Sequence, residues 1–161
     1  YRPIFRTTLF EEYKRIQLKK KTVSGKNRYL TGRNILVAED QPINYAVIEY
    51  ILQNAGASVS KAENGKEAIE KYLASAPGYF DVILMDIMMP VMNGYDAARA
   101  IRKAEREDAG TIGIFAMTAN AFSEDIQKAL DAGMDGHISK PIEPGVVSET
   151  LMHFFSNQKE A

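Results

Sequence analysis

The chain has 161 residues, of which 45% are hydrophobic and 25% are charged, and this composition predicts a globular domain with one core. No apolar run approaches the roughly 18 residues of a membrane helix, the basic N-terminus does not resemble a signal peptide, and the absence of cysteine excludes disulfides and thiolate metal sites. The net charge of −1 conceals two segments of opposite sign: residues 1–33 carry ten Lys and Arg against two acids, and residues 34–161 carry ten against nineteen. The lack of cysteine fits a reducing compartment, and we expect a cytoplasmic location.

The basic segment at residues 1–33 precedes the regular alternation of strands and helices. Its first half has apolar residues at helical spacing and predicts an amphipathic helix, with Phe5, Leu9, Phe10, Tyr13 and Ile16 on one face. The stretch "TVSGKNRYLTG" then predicts a flexible connector. Its basic cluster lacks interleaved aromatics and a nucleic-acid-binding motif, so we interpret it as a linker without nucleic-acid or membrane contact. The start at Tyr1 rather than Met suggests a piece of a longer protein.

From residue 34 onward, short apolar strands alternate with helical patterns. Residues 34–38 form the first predicted strand, and a helix follows over 42–56, with Ile43, Ala46, Val47, Tyr50 and Ile51 at helical spacing. A second strand at 57–62 alternates as an edge strand does, and a helix over 64–76 begins at Asn64.

The second half repeats this alternation three times. Residues 81–86 are the most apolar strand and are expected at the centre of the sheet, followed by a helix over 94–107. A strand at 112–118 precedes a helix over 123–133, with Ser123 as its predicted N-cap, and a strand at 136–139 precedes the last helix over 144–157. Five strand–helix units predict an α/β fold with a doubly wound parallel sheet, in a domain spanning residues 34–157 between an N-terminal segment (1–33) and a short tail (158–161).

The candidate site lies where the predicted strands end. Glu39 and Asp40 follow the first strand, Asp86 ends the third, Thr118 ends the fourth and Lys140 follows the fifth. In an open parallel sheet these ends face a shared crevice. Three carboxylates in one crevice repel one another, so a hard divalent cation, Mg²⁺, is the expected cofactor.

These residue types suit phosphoryl transfer, which depends mostly on positioning and charge neutralisation. Lys140 can pair with a phosphoryl oxygen, and the Thr118 hydroxyl can donate a hydrogen bond to another. Asp86 can act as a nucleophile and carry the phosphoryl group as an acyl phosphate. This role explains why an otherwise apolar strand ends in a carboxylate.

Four ordered motifs, "ILVAEDQPIN", "VILMDIMMPVMNG", "IFAMTANA" and "GHISKPI", together resemble the receiver domain of two-component signalling, especially the type found in hybrid sensor histidine kinases. The resemblance covers residues 34–155 and implies a flavodoxin-like sheet of strand order 2-1-3-4-5. It implies that Asp86 is the phosphoacceptor, that the backbone carbonyl of Met88 joins Glu39, Asp40 and Asp86 around Mg²⁺, and that the Lys140–Pro141 bond is cis.

The resemblance also implies partners and a switch. The phosphoryl donor would be a phosphohistidine on a kinase or on a histidine phosphotransfer protein, and uptake would move Thr118 and change an output face. His137 is the second candidate switch residue, and it stands where many receivers have a Tyr or Phe ring that moves inward. "RPIFRTTLFEEY" resembles the end of a preceding receiver-like domain, and its apolar face could pack on another domain or in a homodimer.

Other classes fit the sequence less well. A haloacid-dehalogenase-type phosphatase needs a second acid two residues after its nucleophile, where this chain has Met88. A dinucleotide-binding domain needs a glycine-rich turn after the first strand, where this chain has "EDQP". A receiver-like domain used only for protein contacts would not need the acidic cluster, and neither histidine lies in a kinase-like motif.

Overall fold

The computed structural model of the protein describes residues 28–159, which form a five-stranded parallel sheet with helices on both faces. The strands are β1 (Asn34–Ala38), β2 (Ser58–Ala62), β3 (Val82–Asp86), β4 (Gly113–Thr118) and β5 (Gly136–Ser139). The helices are α1 (Pro42–Asn54), α2 (Gly65–Ala74), α3 (Gly94–Arg102), α4 (Ser123–Asp131) and α5 (Pro144–Lys159). The strand order β2-β1-β3-β4-β5 confirms the predicted fold.

The sheet places β3 at its centre and β2 at one edge, as the hydrophobic patterns predicted. All five residues of β3 are buried because helices cover both faces of the sheet. In the register of β1 and β3, Ala38 lies opposite Met85, so Glu39 and Asp86 follow at the same edge of the sheet. The backbone pairing therefore brings together the acidic residues that end these two strands.

Two apolar layers fill the space between sheet and helices. One layer lies under α1 and α5 and includes Ile48, Leu52 and Leu151. The other lies under α2, α3 and α4 and includes Tyr72, Ile101 and Ala129. Burial of these side chains supplies the main driving force for the fold, at about 25 cal/mol per Å² of apolar surface.

The buried face of α1 differs from the predicted one. Of the predicted set, Ile51 is buried, but Ile43 is 58% exposed and Ala46 is exposed as well. Tyr45, Ile48 and Leu52 take the core positions instead. The helical period was right, but two overlapping apolar rows run along this helix, and the sheet selects the row that faces it.

Two helix ends also differ from the sequence predictions. Phe122, not Ser123, is the N-cap of α4, and its side chain cannot make a capping hydrogen bond. Helix α3 ends at Arg102 rather than 107, and the chain then turns back toward α2. There the Arg106 guanidinium lies 4.0 Å from the centroid of the Tyr72 ring and pairs with Asp108. By contrast, Asn64 caps α2 as predicted, accepting from the Glu67 N–H at 2.8 Å.

The residues before β1 pack onto the sheet layer under α1 and α5. Leu30 is fully buried, and its N–H donates to the carbonyl of Ala55 at 2.8 Å. Arg33 pairs with Asp81 at 3.0 Å and lies 4.2 Å above the ring of Phe155. The amphipathic helix predicted at residues 5–16 lies outside the described residues, and the domain boundaries stay a prediction. Among residues 28–159, every helix is too short or too polar to span a bilayer.

Candidate functional site

Three carboxylates meet at the carboxyl edge of the sheet. Glu39 and Asp40 directly follow β1, and Asp86 is the last residue of β3. One carboxylate oxygen from each lies within 4.8 Å of the others. Glu39 is fully buried and Asp86 is only 4% exposed, so their mutual repulsion is poorly screened by water.

A single ammonium group reaches two of these carboxylates. Lys140 follows β5, and its Nζ lies 3.0 Å from Glu39 Oε2 and 3.3 Å from Asp86 Oδ1. Burial of Lys140 by itself disfavours its charge, but its ion pairs with Glu39 and Asp86 outweigh burial and raise its pKa. The lysine is therefore held as a cation beside Asp86.

Glu39 has an environment that opposes its negative charge. Its burial raises its pKa, and the charge of Asp86 acts in the same direction. The backbone N–H of Gln41, which donates to Glu39 Oε1 at 3.0 Å, and the Lys140 ammonium oppose that rise. A further cation at this place would favour the ionised form.

The unsatisfied oxygens of the cluster fit a bound cation. Asp40 Oδ1 is buried and accepts no hydrogen bond from the described residues. Glu39 Oε2 is buried too, and its 3.0 Å contact with Lys140 is an ion pair without hydrogen-bond alignment. Buried acceptors are normally satisfied, and hard oxygen donors are the ligands that Mg²⁺ and Ca²⁺ prefer. The donor set of Glu39, Asp40 and Asp86 is therefore suited to a hard divalent cation.

The loop from β3 to α3 folds tightly around Asp86. The Met88 N–H donates to Asp86 Oδ1 at 3.3 Å, and the Gly94 N–H donates to the carbonyl of Ile87 at 3.0 Å. A Cβ atom at Gly94 would overlap the carbonyl oxygen of Asp86, so only glycine allows α3 to begin this close to the strand. Asn93 caps the helix by accepting from the Asp96 N–H at 2.9 Å.

Thr118 lines the same cleft, but its hydroxyl is directed to the following loop. Thr118 Oγ1 donates to the carbonyl of Asn120 at 2.9 Å and accepts from the Asn120 N–H at 3.0 Å. The sequence placed Thr118 at the cleft but gave no sign of this local pairing. To donate to a group on Asp86, the hydroxyl has to give up the bond that it donates to the Asn120 carbonyl.

The remaining predicted residues take different positions. The Lys140–Pro141 peptide bond is cis. Met88 lines the cleft, whereas His137 lies in β5 opposite Ala116, half-buried and away from the cleft lining.

The cleft has a volume of about 440 Å³ and includes residues that no motif indicated. Tyr95, Asp125 and Lys128 extend its lining over α3 and α4, and the Tyr95 hydroxyl donates to the carbonyl of Asp125 at 3.5 Å. These residues lie on helices at positions typical of solvent-exposed side chains, so the sequence carries no signal for their place at the site.

The fold and this arrangement of acids, lysine and threonine define a receiver domain. Residues 35–152 match the family model of the response regulator receiver domain, and the chain belongs to that family. Hybrid signal transduction histidine kinase I of Dictyostelium discoideum is 38% identical over 121 residues, which cover 74% of this chain and 7% of that protein. The chain thus spans only a small part of the curated relatives that it matches.

Solved structures give the same classification. The receiver domain of the sensor histidine kinase PA1611 from Pseudomonas aeruginosa, described with a magnesium ion in its active-site cleft, is 34% identical with a TM-score of 0.70 over 78% of this chain and 99% of that one. The receiver domain of Ssk1 from Saccharomyces cerevisiae, solved with the histidine phosphotransfer protein Ypd1, is 28% identical with a TM-score of 0.71 over 80% and 92%.

Proposed function

We propose that this receiver domain accepts a phosphoryl group from a phosphohistidine on Asp86 and acts as one step of a phosphorelay. The observation that carries the proposal is the position of Asp86, which belongs to the acidic cluster and has its Oδ1 3.3 Å from the Lys140 ammonium. A lysine so placed can pair with a phosphoryl oxygen as it arrives. The surrounding residues thus supply the positioning and charge on which phosphoryl transfer depends.

We propose Mg²⁺ as the cofactor. Glu39, Asp40, Asp86 and the backbone carbonyl of Met88 would hold it, and the buried Asp40 oxygen that accepts no hydrogen bond supports this assignment. When bound, Mg²⁺ neutralises negative charge on the phosphoryl oxygens. The magnesium-bound receiver domain of PA1611 supports the choice of metal.

The chemical step joins an oxygen of Asp86 to phosphorus. As the O–P bond forms, the P–N bond of the phosphohistidine breaks, and its electron pair stays on the imidazole nitrogen. Asp86 acts as a carboxylate nucleophile and carries the phosphoryl group as an acyl phosphate. Lys140 pairs with a phosphoryl oxygen, and Thr118 donates to another once its hydroxyl leaves Asn120.

The donor and the parent protein follow from the relatives. Hybrid histidine kinases are similar to this chain, and the Ssk1 receiver domain binds a histidine phosphotransfer protein, so we infer a cytoplasmic domain of a hybrid kinase that exchanges phosphoryl groups with such a protein. Movement of Thr118 would shift the balance between two conformations of the surface formed by α4, β5 and α5. His137 on β5 is a candidate part of that switch.

The direct test uses the wild-type domain and two Asp→Asn variants with a radiolabelled phosphohistidine donor in Mg²⁺. Asp86→Asn should abolish labelling, whereas Asp131→Asn, a change on the exposed surface of α4, should leave it intact. Mg²⁺-dependent labelling of the Asp86→Asn variant would remove the assignment.

A further inference from the structure

The residues that immediately precede β1 are packed onto the domain, although the sequence predicted a flexible connector there. We call residues 28–33 the lead segment. Leu30 is fully buried, and its N–H donates to the carbonyl of Ala55, just after α1, at 2.8 Å. Gly56 leaves room for Thr31, because a Cβ atom at this glycine would lie 2.7 Å from the Thr31 hydroxyl oxygen. The lead segment is therefore seated against the end of α1.

The lead segment also contacts α5. Arg33 pairs with Asp81, directly before β3, at 3.0 Å, and its guanidinium lies 4.2 Å from the centroid of the Phe155 ring on α5. A cation above an aromatic ring is attracted by the negative face of the ring, and this attraction acts only at short range. Tyr29 packs against the same apolar layer as Phe155. A shift of α5 therefore changes the contacts that hold the lead segment.

Helix α5 in turn contacts the strand that carries Thr118. The Phe154 ring of α5 meets the Phe115 ring of β4 edge to face, with their centroids 5.4 Å apart, and the centroids of Phe154 and Phe155 are also 5.4 Å apart. Thr118 ends β4, three residues after Phe115. A continuous row of ring contacts thus joins β4 through α5 to Arg33. Closely packed side chains have few alternative arrangements, so they transmit a displacement to their neighbours.

We propose that the lead segment is a conformational output of the domain, which passes the state of Asp86 to residues 1–27. This proposal rests on the proposed function. In the observed state Thr118 pairs with Asn120 and the lead segment is docked on α1 and α5. Phosphorylation favours a second state, in which movement of β4 and α5 releases the lead segment. Because such coupling is reciprocal, release of the lead segment favours binding at Asp86 by the same factor.

The first test measures hydrogen exchange of the Leu30 amide in the 161-residue chain, with and without beryllofluoride in Mg²⁺. Beryllofluoride mimics a phosphoryl group on aspartate. Release of the lead segment breaks the bond from Leu30 to Ala55, so exchange should quicken about fivefold or more. The Lys103 amide, which donates to the Arg99 carbonyl at the end of α3, is the control and should not change.

The second test uses the reciprocity of the coupling. Arg33→Gln removes the ion pair and the ring contact of the lead segment, so it should raise the affinity for beryllofluoride in Mg²⁺ by about threefold or more. Arg106→Gln is the matched control. Arg106 also combines an ion pair, with Asp108, and a ring contact, 4.0 Å from the centroid of Tyr72, but it joins α2 to the connection that follows α3. This variant should leave the affinity unchanged, although it too weakens the fold.

A third variant tests the route through α5. Phe154→Leu keeps an apolar side chain but removes the ring contacts with Phe115 and Phe155. Beryllofluoride should still bind this variant, as the shift of the Met88 amide beside Asp86 reports. The quickening of Leu30 exchange should fall to less than about half of its wild-type value.

Three results would overturn the lead-segment proposal while leaving Asp86 as the acceptor. They are unchanged or slower exchange of the Leu30 amide when beryllofluoride is bound, equal affinities of Arg33→Gln and Arg106→Gln, and a full exchange response in Phe154→Leu. Failure of beryllofluoride to shift the Met88 amide of the wild-type domain would count against the proposed function itself, and the lead-segment proposal would fall with it.

Discussion

The ammonium of Lys140 lies 3.0 Å from Glu39 Oε2, and the same ammonium lies 3.3 Å from Asp86 Oδ1, so one cation serves two buried carboxylates. Asp40 Oδ1, the third acid's buried oxygen, accepts no hydrogen bond from the described residues. The metal-free site therefore has more negative charge than its lysine can balance, and this imbalance leads to the first prediction.

Lys140→Ala should lower the free energy of unfolding of the metal-free domain by about 1–3 kcal/mol, because it leaves Glu39 and Asp86 buried without their cation. Millimolar Mg²⁺ should recover most of this loss if the carboxylates bind it. Urea unfolding with and without Mg²⁺ measures both effects, with Lys66→Ala on the exposed side of α2 as the control. Equal losses in the two lysine variants would contradict the account.

Lys140→Ala should also separate uptake from signalling. Phosphoryl uptake should survive better than the change of the α4–β5–α5 face, because Lys140 also lies in the connection from β5 to α5. Labelling measures the first, and NMR shifts of the face on phosphorylation measure the second. Equal loss of both would refute this division of roles.

Gly94→Ala should destabilise the domain by about 1–3 kcal/mol, because the added methyl group would overlap the Asp86 carbonyl and push the strand end away from α3. Phosphoryl uptake should fall with it, since the same shift moves the Asp86 side chain. Thermal unfolding and labelling measure the two effects. Gly145→Ala in the first turn of α5 is the control, because a methyl group there meets no atom within 4 Å. A stable, active Gly94→Ala variant would contradict this reading of the loop.

Thr118→Val should loosen the loop that follows β4. The variant keeps the shape of the side chain but removes both hydrogen bonds with Asn120. Hydrogen exchange of the Asn120 amide should therefore quicken about fivefold or more. The exchange rate of the Glu67 amide, which lies in the first turn of α2 and donates to Asn64, should not change. Beryllofluoride with Mg²⁺ should shift the loop amides of the wild-type domain but not those of the variant. An identical response in both would exclude Thr118 from the switch.

Asp108 should make stability depend on acid pH. Hydrogen bonds from Arg106, at 2.6 and 3.0 Å, are the main cause that lowers its pKa to about 2, and the Gly78 N–H and Tyr72 hydroxyl act in the same direction. Because this pKa lies below the unfolded value of about 3.9, the contribution is complete above about pH 4 and is lost as the pH falls toward 2. The contribution of Asp108 to the free energy of unfolding is about 2 kcal/mol.

Comparison with Asp108→Asn isolates this contribution. The stability difference between the wild-type domain and the variant, measured by urea unfolding, should be largest above pH 4 and should shrink as the pH approaches 2. A difference that stays constant over that range would show that Asp108 does not titrate as described.

Much of the fold and of the site's location could be predicted because both depend on simple geometry. Parallel strands end at one edge of a sheet, so residues that follow the strands in sequence, such as Glu39 and Lys140, come together once the strand order is known. The apolar run before Asp86 identified the central strand because helices cover such a strand on both faces of the sheet. Asn64 could be recognised as a cap because its side chain acts only on its own helix.

The rest depends on contacts between distant parts of the chain or on the conformation of loops. Helix α3 ends early because Arg106 and Asp108 meet Tyr72 on another helix, and no local pattern shows that contact. Helix α1 has two overlapping apolar rows, and packing against the sheet buries one of them and leaves Ile43 exposed. Phe122 is the N-cap of α4, although serine is the residue type that favours this position and Ser123 was the predicted cap. The pairing of Thr118 with Asn120 depends on a loop conformation without a sequence signature.

The most direct measurement of the central proposal is the identity of the phosphorylated residue. The domain is treated with a phosphohistidine donor in Mg²⁺ and reduced with borohydride, which converts an acyl phosphate of aspartate to homoserine, and its peptides are then sequenced by mass spectrometry. We expect homoserine at position 86 alone, and none when Mg²⁺ is removed by chelation. Homoserine at another acidic position, or phosphate retained on a histidine with position 86 unchanged, would contradict the account.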